Sequence, residues 1–273
     1  MSSLYLRQGM KPLLPVLVSL VLFACSTLPG AAIQPVKSPN DNNEYRYITL
    51  ENELQVLLIS DPETKKAAAA LDVMVGSGDN PVGREGLAHF LEHMLFLGTD
   101  KYPDAAEYEA YTTEHGGSRN AYTSSEHTNY FFDINEAFLP EALDRFAQFF
   151  IAPRFDAQYV EREKNAVQAE YQMGLKNDGR RGQDVLREVV NAGHPFSQFA
   201  VGSLDTLEDR PGSTVRDDLL AFYDKHYSSN QMKLVVLGSQ SLDELEALVR
   251  PMFSPILNTS FEHSEVAALT APR

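Results

Sequence analysis

The sequence predicts an α+β fold: one antiparallel-rich sheet with helices packed on one face, forming a single domain. Three observations predict it. Alternating apolar stretches open the ordered region, in "YRYITLENELQVLLISD" and "KAAAALDVMVGSGDN". Several helical stretches follow. One short apolar strand, "QMKLVVLG", then returns near the end. Strands, helices and a returning strand suit a single sheet covered by helices. No internal repeat competes with that reading.

Each element has a local reason. The first stretch breaks at "ENE", which predicts a two-strand hairpin around residues 45–60. "KAAAALDVMVGSGDN" is a third strand running into a Gly/Asp/Asn loop. "EGLAHFLEHMLFLGT" (85–99) is a helix stopped near Gly98. "PDAAEYEAYTTEHGG" is a second helix, started by Pro103-Asp104 and ended by Gly116-Gly117. "SRNAYTSSEHTNYFFDIN" is rich in Thr, Tyr and Phe and reads as two strands with a turn near Ser125. "EAFLPEALDRFAQFFI", "FDAQYVEREKNAVQAEYQMGLKN", "DDLLAFYDKHY" and "SLDELEALVRPMF" are helices.

Bulk properties limit the function classes. The chain has 273 residues, 43% of them hydrophobic, which allows a sizeable core. Net charge is −15 and Lys and Arg clusters are sparse in the sequence, which argues against nucleic acid as a partner. Residues 1–25 have the pattern of a targeting segment. Arg7 and Lys11 precede the apolar run "PLLPVLVSLVLFA", which is too short for a membrane-spanning helix. "LFAC" closes it at Cys25, the single cysteine, which excludes an internal disulfide. The ending resembles a bacterial lipoprotein signal with Cys25 as lipidated first residue, although Phe23 departs from that box. Ordinary signal-peptide cleavage nearby is the alternative. Residues 26–43 read as a flexible tether, 44–253 as the folded domain, and 254–273 as a linker toward a following domain.

The helix at 85–99 poses a chemical question. It is apolar on nearly every side, as a buried helix is, yet His89, Glu92 and His93 stand in its middle. At about 100° per residue, His93 lies about 40° from His89 around the axis, and Glu92 about 60° to its other side. All three project from one arc. Buried polar groups without partners cost a few kcal/mol each. Two imidazoles at i and i+4 are spaced to hold one metal ion, and H-x-x-E-H is the inverzincin pattern. A catalytic zinc site needs a third protein ligand. In "VEREKNAVQAEYQM", Glu163, Ala166, Val167 and Glu170 share one helical stripe, whereas Glu161 points away. Periodicity does not choose between Glu163 and Glu170.

"HFLEH", followed after 76 intervening residues by the second glutamate of "EKNAVQAE", and "GGSRNAYTSSEHTNYFFDI" together resemble the pitrilysin/insulinase family of zinc metallopeptidases. The resemblance covers residues 45–253. It implies one zinc ion (Zn2+) per domain, with His89, His93 and Glu170 as ligands. It implies Glu92 as the general base acting on water, and Glu163 as a carboxylate supporting the site. Asn120 and Ala121 match the strand edge that pairs with a bound peptide. His115, His127 and His194 are read as a helix end, a hydrogen-bonding residue and a loop residue.

The function so implied is a zinc-dependent endopeptidase acting on peptides or small unfolded proteins in the bacterial envelope, on the periplasmic side. The partners are peptide substrates, a membrane reached through the lipid anchor, and a second half of the peptidase, in cis or as a partner subunit. The rival reading is a lipid-anchored binding or assembly module that kept the fold without catalysis, or a fragment inactive without its second half.

Overall fold

Alternation and a turn at residues 50–54 make the first hairpin. In the computed structural model, which describes residues 35–266 and 268–270, β1 (Glu44–Thr49) pairs antiparallel with β2 (Gln55–Ser60). The chain continues through β3 (Lys66–Val73), α1 (Leu87–Leu95), α2 (Glu107–Glu114), β4 (Ser118–Thr123) and β5 (Thr128–Asn135). Then come α3 (Leu139–Gln148), α4 (Ala157–Gly174), α5 (Asp178–Glu188), α6 (Val215–His226), β6 (Met232–Gly238) and α7 (Leu242–Phe253). The predicted leader, Cys25 and the tether up to residue 34 lie outside the described residues. No helix among the described residues is long and apolar enough to cross a membrane.

The six strands form one mixed sheet in the order β1-β2-β6-β3-β5-β4. The returning strand therefore sits in the middle, parallel to β2 and antiparallel to β3. Its sequence suits that place: Leu234 and Val236 are buried, and the residues between them are also apolar. Ala67, Ala69, Leu71 and Val73 of β3 and Tyr130, Phe132 and Ile134 of β5 bury one face of the sheet. Phe146 and Phe150 pack ring to ring against that face, on Phe132 and Tyr130. Each such side chain contributes about 1.5–3 kcal/mol by leaving water.

The predicted boundaries shift for local reasons. Helix α2 begins at Glu107, three residues after Asp104, because the Asp104 carboxylate accepts the Ala106 N–H at 2.9 Å and holds a turn ahead of the helix. Helix α5 has no counterpart among the predicted helices. Gly179 and Gly182 break its apolar pattern, and Asn177 caps it by accepting the Arg180 N–H at 3.0 Å. The segment after α7, expected to be a linker from residue 254, is irregular and tied to the domain. Asn52 donates to the Ile256 carbonyl at 2.9 Å, Asn230 and Gln231 donate to the Phe261 carbonyl at 2.8 and 2.7 Å, and Ile256 is buried.

That tail covers His226, at the end of α6, and creates a pH dependence. The His226 ring packs against Phe222 and Phe261, and its Nδ1 has no hydrogen-bond partner among the described residues. Burial, followed by the nearby Lys225 and His263 charges, pulls its pKa down to about 4 from 6.5. Between those values the unfolded chain holds a proton that the native chain does not. The stability is fully present above pH 6.5 and is lost as pH falls toward 4. The loss should be on the order of 3 kcal/mol at most. Urea unfolding at pH 7 and pH 4.5, as round test points about the window, should show this slope, and His226→Phe should flatten it.

Candidate metal centre

Helix α1 is placed by a close backbone approach. Gly86, the residue before the helix, has φ 91°, and a Cβ there would stand 2.2 Å from the Gly202 Cα. Gly202 is itself left-handed, with φ 89°. These two glycines let the loop at 200–202 lie against the start of α1. As a result the Val201 carbonyl accepts a hydrogen bond from His89 Nδ1 at 2.7 Å. Arg84, 3% exposed, anchors the preceding turn to α6 through Asp218 at 2.5 Å.

His89 and His93 lie one turn apart on α1, and both are largely buried. Their Nε2 atoms are 3.3 Å apart. Glu170, from α4, completes a triangle, with Oε2 at 3.4 Å from His89 Nε2 and Oε1 at 3.6 Å from His93 Nε2. Ligands at zinc-bond lengths of about 2.0–2.1 Å around a tetrahedron stand about 3.3–3.4 Å apart. The triangle has that size. The protonation pattern also fits. A carbonyl can only accept, so His89 carries its hydrogen on Nδ1 and turns a lone pair on Nε2 inward. His93 Nδ1 faces the Glu163 carboxylate at 3.3 Å, which fixes the same tautomer. Two lone pairs facing each other at 3.3 Å call for a cation between them.

Sequence periodicity left Glu163 and Glu170 equivalent, and the structure separates them. Glu170 faces both Nε2 atoms, whereas Glu163 stands behind His93 and also accepts from Arg162 at 2.7 Å. Glu161 points away and pairs with Lys164 at 2.9 Å. Glu92 is buried on the same arc, and its Oε2 accepts from the Thr123 hydroxyl at 2.5 Å.

The electrostatics divide the three carboxylates. Burial pushes the Glu92 carboxyl above its ordinary pKa, against the opposing effects of Thr123, His89 and His93. Burial also acts upward on Glu163, but the bonds from His93 and Arg162 outweigh it and hold it low. When the His89 ring is protonated on both nitrogens, its hydrogen bond lowers Glu170. For His89, burial acts downward, and the Glu170 bond and Glu92 charge overcome it to raise the pKa.

Strand β4 is the sheet edge next to this centre. Asn120 and Ala121 both line the 910 Å³ cavity that holds the metal triangle. Asn120 Oδ1 accepts the Ala121 N–H at 2.9 Å, so a side chain covers an edge donor. Of the other histidines, His115 ends α2 and His194 lies in a loop before a short turn, while His127 pairs with Asp72 at 2.7 Å.

The family comparison agrees with the geometry. The model described as Insulinase (Peptidase family M16) matches residues 55–198, more than half of the chain. The chain belongs to the M16 insulinase family. Zinc is thus the metal that suits this His-His-Glu triangle. A second M16 model, described as the Peptidase M16 inactive domain, matches residues 214–273. The first match ends before β6, yet β6 pairs with β2 and β3 in the same sheet, so the two matches share one structural body. The chain is 52% identical to insulin-degrading enzyme-like 1, peroxisomal, of Arabidopsis thaliana, over 84% of this chain and 24% of that one. It is 41% identical to Protease 3 of Salmonella typhimurium, over 84% of this chain and 24% of that one. Its structure resembles the crystal structure of pitrilysin, with TM-score 0.84 and 40% identity, over 87% of this chain and 26% of that one. The chain thus spans about a quarter of the length of these M16 relatives.

The sequence reading missed three contributors. Thr123 was within reach of it, because strand alternation places residues 119, 121 and 123 on one side of β4. Arg162 neighbours Glu163 directly. The Val201 carbonyl had no sequence signal, being a backbone atom 112 residues from His89. The glycine contact that brings it there makes a test. Gly86→Ala should cost about 3 kcal/mol or more, because backbone meets backbone. It should also weaken zinc binding about tenfold or more by moving the carbonyl off His89. Thermal unfolding and metal titration read the two effects.

Proposed function

We propose that this chain is the metal-bearing domain of a zinc endopeptidase, with His89, His93 and Glu170 as ligands and Glu92 as general base. The observation that carries the reading is the inward convergence of two imidazole lone pairs and a carboxylate beside the buried Glu92. When bound, zinc lowers the pKa of water from 15.7 toward about 7 and offsets charge developing on a carbonyl oxygen. The chain's own groups do the rest. Glu92 takes the proton of the attacking water and passes it to the leaving amine. Burial, which pushes its pKa upward, favours the proton-carrying form that this double duty needs. Thr123 holds one carboxylate oxygen and leaves the other for the water. Glu163 and the Val201 carbonyl keep both rings oriented. An extended peptide adds to the β4 edge at Asn120 and Ala121, bound mainly through its main chain.

The domain at 44–253 acts with a second half, in cis or as a partner subunit, that closes the cavity against water. The match at 214–273 to an M16 inactive-domain model supports such an arrangement. Residues 1–25 direct the protein to the periplasmic side of a bacterial envelope, and Cys25 carries the lipid anchor. Residues 254–273 lead toward the second half.

The test is metal analysis of the purified chain, with peptide cleavage before and after the second half is added. About one zinc per chain is expected, with chelator-sensitive cleavage only in the assembled form. A folded chain that takes up no zinc overturns the reading. Rapid cleavage by this chain alone overturns the need for a second half.

A further inference from the structure

The unpredicted helix α5 forms a wall of the metal cavity, where it presents three arginines beside Gln183 and Asp184. Arg180, Arg181 and Arg187 line it from α5, with Arg162 from α4 and Arg119 from β4. This concentration opposes the character of a chain with net charge −15. Two of the arginines are neutralised where they stand: Arg119 pairs with Glu109 at 2.6 Å and Arg162 with Glu163 at 2.7 Å. The α5 arginines are less occupied. Arg180 has no carboxylate partner among the described residues and donates only to the Glu170 carbonyl, at 3.3 Å. Arg181 reaches Asp178 at 3.4 Å, both side chains being exposed, a pairing worth little in water. Arg187 meets Asp184 at 3.2 Å, but its Nε is buried with no hydrogen-bond partner among the described residues. Of the acids that line the cavity, Glu170 belongs to the metal triangle, Glu92 is held by Thr123, Glu163 and Glu109 pair with Arg162 and Arg119, and Asp184 meets Arg187, so Arg180 and Arg181 are left without a buried acidic partner among the described residues.

We infer that the α5 wall of Arg180, Arg181 and Arg187 selects peptides carrying acidic side chains near the bond presented to the metal centre. The inference rests on the peptidase reading for its ligand class. Guanidinium groups bind carboxylates by planar, paired N–H donation, and these are among the stronger polar contacts. Away from this wall the acidic protein repels acidic segments, so the preference has a local origin. Main-chain pairing at β4 ignores side chains, and the α5 wall adds the discrimination that β4 lacks.

The experiment uses zinc-loaded Glu92→Gln protein, so that no probe is cut. Two fluorescein-labelled peptides are compared by anisotropy, identical except for a Glu-Glu-Glu or a Gln-Gln-Gln triplet. The Glu peptide should bind about tenfold tighter at low salt, and the ratio should narrow as salt screens the charges. In Arg181→Gln/Arg187→Gln, which leaves Arg180 as the one cation of the wall, the ratio should fall to about two. Should that double variant fail to fold, Arg181→Gln alone, at an exposed position, should lower the ratio about threefold. Equal affinities, no binding of either peptide, or a ratio that survives the substitutions overturns the inference. The peptidase reading fails separately: an assembled protein with Glu92 intact that binds the Glu peptide preferentially and never cleaves it refutes hydrolysis and leaves the arginine wall standing.

Discussion

Glu92→Gln is expected to keep its zinc and lose about 10²-fold or more in turnover of the assembled peptidase. The two consequences separate because Glu92 is not in the triangle. Its Oε2 is bound by Thr123, on the β4 side, while the two Nε2 atoms face Glu170. Gln keeps the size and can still accept from Thr123, so the fold should tolerate it. It cannot take a proton from water. Substrate affinity should change little, so the loss should appear in kcat. Metal analysis and single-turnover kinetics check both halves. Loss of zinc from this variant would make Glu92 a ligand and refute its role as base.

Glu170→Gln and Glu163→Gln should weaken zinc binding by very different amounts. Glu163→Gln removes the negative charge behind His93, a change that costs about ten- to a hundredfold in affinity. Glu170→Gln removes a charged corner of the triangle itself and should cost more than that. Competition with a chelator of known affinity ranks them. The reverse order would exchange their roles. Both proteins should also release metal as pH falls. His89 must be neutral to bind, and in Glu163→Gln, where the Glu170 bond that raises its pKa survives, protonation competes with zinc earlier than for an ordinary histidine.

Much of this centre could be read from spacing because helices repeat on a fixed period. One arc of α1 carries His89, Glu92 and His93, and one stripe of α4 carries Glu163 and Glu170. The hairpin, the β4–β5 pair and the late strand were equally legible from alternation. What escaped depends on non-local contacts. The Val201 carbonyl reaches His89 only because Gly86 and Gly202 meet, and no periodicity records a backbone contact across such a separation. Helix α5 hid for another reason. Gly179 and Gly182 dilute its pattern, and its arginines look in sequence like an ordinary solvated turn. The order of strands was also hidden, since alternation reports a strand's faces and not its neighbours.

The central place of β6 governs how the molecule can be made. β2 and β3 follow each other in the chain but flank a gap that only residues 232–238 fill. A ribosome adding about 5–20 residues per second needs on the order of ten seconds or more to reach β6 after β3 has emerged. During that interval the nascent chain has two unpaired strand edges and no continuous sheet beneath α1. Helix α1 also packs against α6, which is synthesised just before β6. The zinc triangle is therefore assembled among the last events of folding, after Glu170, Val201 and β6 have all been translated. A metal centre so arranged takes shape only once the segments that carry its groups have left the unfolded state.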